Sequence, residues 1–184
     1  MDLGLTPRSL HLCIDMQRLF AEGGVWPTPW MERVLPRVVA LAERHPERTL
    51  FTRFIPPRRP EDRPGQWQAY YRRWREATLE RLAPPAVVPD KPVYSAFAGR
   101  RLQALLRERR ADALIVSGGE TDVCVLASVL GAIDQGWRVV LATDAVCSSS
   151  DQGHDTLLAL FGQRFSQQLA TATVEQILAA WPGD

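Results

Sequence analysis

The sequence predicts an α/β protein in which a mainly parallel sheet is sandwiched between helices, in one domain over residues 1–184. Two patterns predict it. Short apolar runs alternate with stretches whose apolar residues recur at helical spacing. Parallel neighbours need a crossover, and helices must cover both faces of such a sheet. In addition, 184 residues of which 46% are hydrophobic suit one sizeable core and would be cramped as two.

Each element has a local reason. Residues 10–14 (LHLCI) form a buried strand that ends in Asp15. Residues 31–44 place Val34, Leu35, Val38, Leu41 and Ala42 at helical spacing. Residues 49–55 (TLFTRFI) are rich in β-formers and are stopped by Pro56 and Pro57. A loop over 56–65 leads to a helical stripe of Trp67, Tyr70, Tyr71, Trp74, Ala77 and Leu82, and 86–88 is a short apolar run. A helix over 102–109 follows Gly99. Residues 113–116 (ALIV) make a strand that runs into Ser117-Gly118-Gly119, and Thr121-Asp122 start a helix that Gly136 closes. Residues 138–142 are another strand with Asp144 beyond its tip, 154–161 are helical, 169–172 are an edge strand, and 174–181 are the last helix.

Charge and cysteine usage narrow the function. The 22 basic and 21 acidic residues give a formal net charge of +1, which excludes a polyanion binder acting through bulk charge and leaves only a local patch open. No run reaches the ~18 apolar residues that span a bilayer, and the N-terminus has no signal pattern, so a soluble cytoplasmic protein without a membrane partner is expected. The cysteines, Cys13, Cys124 and Cys147, are odd in number and not closely paired, unlike a secreted disulfide framework. Lys91 is the only lysine; the other 21 basic residues are arginines.

Ligands of open α/β sheets sit beyond the carboxyl ends of the strands, so strand tips are where chemistry is sought. Three tips supply it: Asp15, Lys91 in the loop after 86–88, and Cys124. Cys124 lies in the first turn of a helix, where free backbone N–H groups and the helix dipole favour thiolate. A free cysteine is also a common small core residue, and position alone leaves both readings open. Asp15 is a candidate general base, or a turn residue. Most lysines are surface residues, yet a chain that uses arginine at every other basic position points to a specific need for an ammonium at Lys91.

These residues carry a family resemblance. The segments Ser117-Gly-Gly-Glu-Thr-Asp-Val-Cys-Val, Cys13-Ile-Asp-Met-Gln-Arg-Leu-Phe20, Lys91-Pro-Val-Tyr-Ser-Ala-Phe97 and Thr143-Asp144-Ala145 resemble the isochorismatase-like cysteine hydrolases, in order from Leu10 to about Ala172. The resemblance implies a three-layer α/β/α sandwich with about six strands and a catalytic triad of Asp15, Lys91 and Cys124. It also implies attack by Cys124 on a carbonyl carbon, a thioester intermediate, Asp15 as general acid and base, and Lys91 as its charge partner. Backbone N–H groups of Glu120 and Cys124 would form the oxyanion hole, at roughly 3 kcal/mol per donor. Relatives that cleave the vinyl ether of isochorismate lack the cysteine, so the substrate class implied here is a small amide, ureido or imide compound cut at a non-peptide C–N bond. Homo-oligomers are common in the family and are expected here.

Departures from the family pattern matter too. Nicotinamidase-type members follow the second strand with metal-binding Asp and His, where this chain reads Thr52-Arg53-Phe-Ile-Pro-Pro-Arg-Arg. His11, His45 and His154 are scattered and read as structural, so no metal and no cofactor are expected. The family's non-proline cis peptide would join Gly119 to Glu120. The Glu120 side chain is expected to be paired or turned away, since a free carboxylate would oppose a thiolate.

Between Arg53 and Arg81 eight arginines face four acids, interleaved with the aromatic stripe. Stacked bases and phosphates would fit such a segment, but helical spacing is explained more simply by packing on the sheet, the pocket or another subunit, and no nucleic-acid partner is expected. Phe20, Trp26, Tyr94 and Phe97 are candidate apolar walls of the substrate pocket, with Gln17, Arg53 and Thr121 as polar contributors; ordinary core packing is the alternative for each. An Arg53 facing the pocket would imply an anionic substrate. A catalytically idle relative serving as a binding or assembly module is the competing reading of the whole chain.

Overall fold

Along the chain, β1 (Leu10–Ile14) leads to α1 (Met31–Arg44), β2 (Thr49–Phe51), β3 (Arg53–Phe54) and β4 (Asp90–Lys91). Then come α2 (Arg100–Glu108), β5 (Ala113–Gly119), a π-helical turn (Thr121–Val125), α3 (Leu126–Asp134), β6 (Arg138–Cys147), α4 (Asp151–Arg164), β7 (Leu169–Ala172) and α5 (Val174–Ala180). The structure is a computed structural model and describes residues 2–21, 23–24, 26–55, 59 and 90–183. The aromatic helix expected over 66–82, the loop before it and the apolar run at 86–88 lie outside the described residues.

The sheet is parallel, in the order β2-β1-β5-β6-β7. Its strands alternate between two cores with the period of two that a pleated strand imposes. Leu12, Ile14, Leu114, Val116 and Leu141 face one cluster with Leu102, Leu106, Val129 and Phe161, from α2, α3 and α4. Cys13, Ile115, Val140 and Ala142 face the other, with Met31, Val34, Val38 and Leu41 of α1 and Val174 and Ile177 of α5. The α1 residues recur at intervals of three and four, the stripe that lets one helix face bury against a sheet. Helix α5 starts in a capping box of Thr173 and Gln176, and α4 starts at Ser150, whose side chain accepts from the Gly153 N–H.

Two expectations change in detail. The second strand is interrupted at Thr52, whose N–H donates to the Cys13 carbonyl at 2.9 Å; the chain then continues as β3, which pairs with β4 as a separate parallel ladder. Among the described residues the main sheet has five strands, beside this short ladder, in keeping with the expected sheet of about six. Lys91 sits within β4, not in a loop after a strand.

Strand β1 has β2 on one side and β5 on the other, so the strand order reverses between β1 and β5. Their carboxyl ends open the crevice where ligands of such sheets bind. Asp15 follows β1 directly, and Glu120 and the π-helical turn follow β5.

Candidate active site

Asp15 has φ +48°, in the left-handed region that aspartate tolerates better than most residues. Its carboxylate is fully buried. Thr52 donates its hydroxyl to Oδ1 at 2.6 Å and accepts the Asp15 N–H at 3.2 Å, while Lys91 Nζ lies 2.5 Å from Oδ2. The break in the second strand at Thr52 is thus what brings a hydroxyl to the acid.

Lys91 is 4% exposed and also donates to the Val93 carbonyl at 3.1 Å. Burial pulls its pKa down, but the charge of Asp15 and contact with Cys124 outweigh it, so the net shift is upward and the ammonium persists. Cys124, in the π-helical turn, lies within the influence of both Asp15 and Lys91. Its thiol is pushed up by burial and by the Asp15 charge, against a smaller lowering by Lys91. The expectation that the start of the helix favours thiolate is therefore corrected: desolvation and a neighbouring carboxylate win, and the resting group is the thiol. Cys13 and Cys147 are each pushed up to about 12, chiefly by burial.

Strand β5 delivers this turn through two glycines. Gly118 has φ +109°, and a Cβ there would collide with the Ile14 carbonyl of β1. The Gly119–Glu120 peptide is cis. The Glu120 carbonyl accepts from the N–H groups of Val123 and Val125, and its carboxylate Oε1 accepts from Trp26 Nε1 (3.0 Å), Thr28 Oγ1 (3.2 Å) and the Ser149 N–H (3.1 Å). Glu120 is thus hydrogen-bonded, and it ties the loop after β1 to the turn that carries Cys124.

Above the thiol is a cavity of about 120 Å³, walled by Phe20, Trp26, Phe54 and Tyr94 and floored by Val123, Glu120 and Cys124. Three of the four aromatic candidates line it, and Phe97 does not: it is buried in the core on the side of α3, close to Gly131. The polar candidates are elsewhere as well. Gln17 is a buried strut whose amide bonds both the N–H and the carbonyl of Phe54. Arg53 pairs with Asp90 at 2.8 Å and does not line this cavity. Thr121 is fully buried and bonds His154 Nδ1 at 2.9 Å. Phe54, Val123, Thr52 and Thr28 were not singled out from sequence. Alternation could have found Phe54, since a strand that turns Arg53 one way turns its neighbour the other.

The histidines lie apart. His11 bridges Thr49 and Ser117 within the sheet, His45 packs its ring edge-on to Trp181, and His154 lies under Trp30 and Thr121. Among the described residues no group of three or more His, Cys, Asp or Glu side chains is arranged to hold a metal ion, and no helix is long and apolar enough to cross a membrane.

The isochorismatase domain pattern matches residues 9–173. The chain belongs to the isochorismatase family. An isochorismatase family protein of Bacillus subtilis is 40% identical over 81 residues, 44% of each chain. N-carbamoylsarcosine amidase of an Arthrobacter species is 31% identical over 56% of this chain and 40% of its own. These alignments span less than half of either relative. Among solved structures, a cysteine hydrolase from Pseudomonas syringae superposes with a TM-score of 0.80 at 20% identity, covering 96% of this chain and 93% of that one, which shows the shared fold. The nicotinamidase PncA from Bacillus subtilis gives 0.70 at 26% identity, over 89% of this isochorismatase-family chain and 99% of its own.

Proposed function

We propose that the protein is a cysteine hydrolase that cleaves a non-peptide C–N bond of a small amide, ureido or imide compound. The observation that carries this reading is the meeting of Asp15 and Lys91 at Cys124, which itself lines a small aromatic cavity. Family members named maleamate amidohydrolase and N-carbamoylsarcosine amidase support the reaction class.

In this reading the Cys124 thiol gives its proton to Asp15 as the sulfur attacks the carbonyl carbon. A thiol held protonated beside a carboxylate suits transfer during attack, with no standing thiolate. The N–H groups of Glu120 and Cys124 receive the oxyanion. The tetrahedral adduct collapses by breaking the C–N bond, and the departing nitrogen takes the proton from Asp15. Water then adds to the thioester, losing a proton to Asp15; the second collapse breaks the C–S bond, and the proton returns to sulfur. The products are an acid, or a carbamate from a ureido substrate, together with ammonia or an amine, or with an amide where the substrate is an imide. Lys91 keeps Asp15 oriented and compensates its charge throughout.

A panel of small amides, ureido acids and imides tests this, assayed for ammonia or amine release and, for the imides, for formation of the acid and amide. Cleavage of at least one compound, an acyl adduct on the Cys124 peptide after acid quench, and loss of about 10³-fold or more of kcat in Cys124→Ala are expected. Undiminished turnover in that variant overturns the mechanism.

A further inference from the structure

Thr52 does not line the cavity above Cys124, yet it is buried and bonds the acid of the site twice. Its hydroxyl oxygen accepts the Asp15 N–H at 3.2 Å, and its hydroxyl proton goes to Asp15 Oδ1 at 2.6 Å. One hydroxyl therefore ties the main chain of Asp15 to the carboxylate of the same residue. The Thr52 N–H donates to the Cys13 carbonyl at 2.9 Å, which anchors that hydroxyl at the end of β1. A carboxylate turns easily about its last side-chain torsion, which is broad and two-fold. Here the torsion is held, because Oδ1 faces Thr52 and Oδ2 faces Lys91.

The two oxygens are thus unlike. Oδ1 has a hydroxyl donor, whereas Oδ2 is buried beside the Lys91 ammonium and, among the described residues, accepts from no hydroxyl or backbone N–H. A hydroxyl has a single proton to give. An acid proton arriving on Oδ1 would have to displace the Thr52 proton from its acceptor, and a buried donor without an acceptor is costly. A proton arriving on Oδ2 leaves that hydrogen bond intact, so Thr52 donates to Oδ1 in the ionised and the protonated acid alike.

We propose that Thr52 is a positioning residue for the reaction: it holds Asp15 so that Oδ2 takes the proton from the Cys124 sulfur and passes it to the departing nitrogen, while Oδ1 stays hydrogen-bonded throughout. This role rests on the hydrolase reading above, so its test has one arm that needs turnover and one that does not.

In the first arm, kcat and KM are measured for Thr52→Val, Thr52→Ala and Thr52→Ser with an amide that the parent protein cleaves. Thr52→Val keeps the shape of the side chain and loses the hydroxyl; Thr52→Ser keeps the hydroxyl and loses the methyl. Thr52→Val and Thr52→Ala should each lose about thirtyfold in kcat with KM within about twofold of the parent, because Thr52 does not reach the cavity. Thr52→Ser should stay within about threefold of the parent kcat. A threonine that served only the strand break would instead give losses that follow the urea midpoint and not the hydroxyl. If Thr52→Val fails to fold, Thr52→Ala and Thr52→Ser still differ by the hydroxyl alone. In the second arm, crystal structures of the parent and of Thr52→Ala compare the Asp15 carboxylate, which should turn about its last torsion or take two orientations in the variant. An unturned carboxylate, a near-parent kcat in the variants without the hydroxyl, or equal losses in Thr52→Ser and Thr52→Ala overturns the proposal. A turned carboxylate with no amide cleaved by the parent would sink the hydrolase reading and leave the hold on Asp15 standing; amide cleavage indifferent to the hydroxyl would do the reverse.

Discussion

Lys91 is held on three sides: Asp15 Oδ2 at 2.5 Å, the Val93 carbonyl at 3.1 Å and the Cys124 thiol. An ammonium fills that space as a compact point charge, whereas a guanidinium is planar and broader and would displace the acid or the thiol. Lys91→Arg should therefore lower kcat by about a hundredfold or more while leaving the urea midpoint near that of the parent; near-normal kcat would refute the assigned role. The neighbouring charges make a second, less intuitive prediction. Besides burial, the Asp15 charge raises the Cys124 pKa and Lys91 lowers it, so replacing the acid removes a charge that favours the thiol and leaves one that favours thiolate. Asp15→Asn should abolish turnover yet accelerate iodoacetamide labelling of Cys124 at pH 7, by about tenfold. In the parent protein, labelling should keep rising above pH 9 because the thiol is shifted upward; a plateau near neutral pH would mean that the thiolate already exists. Cys13 and Cys147, fully buried, should stay unlabelled in both.

At the scale of elements, the site depends on how closely β5 approaches β1. Gly118 sits opposite Ile14 in the parallel register, and its φ of +109° is open to glycine and costly for any other residue. Gly118→Ala combines that strain with a collision against the Ile14 carbonyl, so a loss of about 3 kcal/mol or more in urea unfolding is expected. A loss under 1 kcal/mol would show that the two strands can separate at no great cost. Strand ends were readable from the sequence because apolar runs stop at Asp15 and at Ser117-Gly118-Gly119. The break at Thr52 was not readable: it follows from a hydrogen bond to Cys13 and from a hydroxyl held by Asp15, partners 37 or more residues away in sequence. For the same reason Gln17, a candidate substrate contact, is found as a strut on Phe54, and Arg53, a candidate polar contributor to the pocket, is found paired with Asp90. Residue type announces that a polar group needs a partner but not which one.

For the molecule as a whole, the alternation of strands and helices foretold layers and parallel direction, whereas the order β2-β1-β5-β6-β7 appears only in the structure, because each strand is apolar enough to be central. One central residue couples that order to pH. His11 is completely buried in β1 and joins three adjacent strands, with Thr49 of β2 on one ring nitrogen at 3.4 Å and Ser117 of β5 on the other at 2.7 Å. Burial lowers its pKa from 6.5 to about 3. As pH falls, the unfolded chain therefore takes up a proton at His11 while the folded protein does not. The associated stability is complete above pH 6.5 and is lost progressively as pH falls toward 3. His45, lowered by burial and by Arg48 and Arg44, acts in the same direction. Between pH 6.5 and 5, a window in which ordinary carboxylates stay ionised, His11 alone should cost roughly 1.5 kcal/mol. Urea unfolding at closely spaced pH values checks this. His11→Gln shifts the whole curve by whatever its altered packing costs, but it should also flatten the slope in that window, and only the slope reports protonation. An unchanged slope would mean that the imidazole takes up its proton in the folded protein as readily as in the unfolded chain.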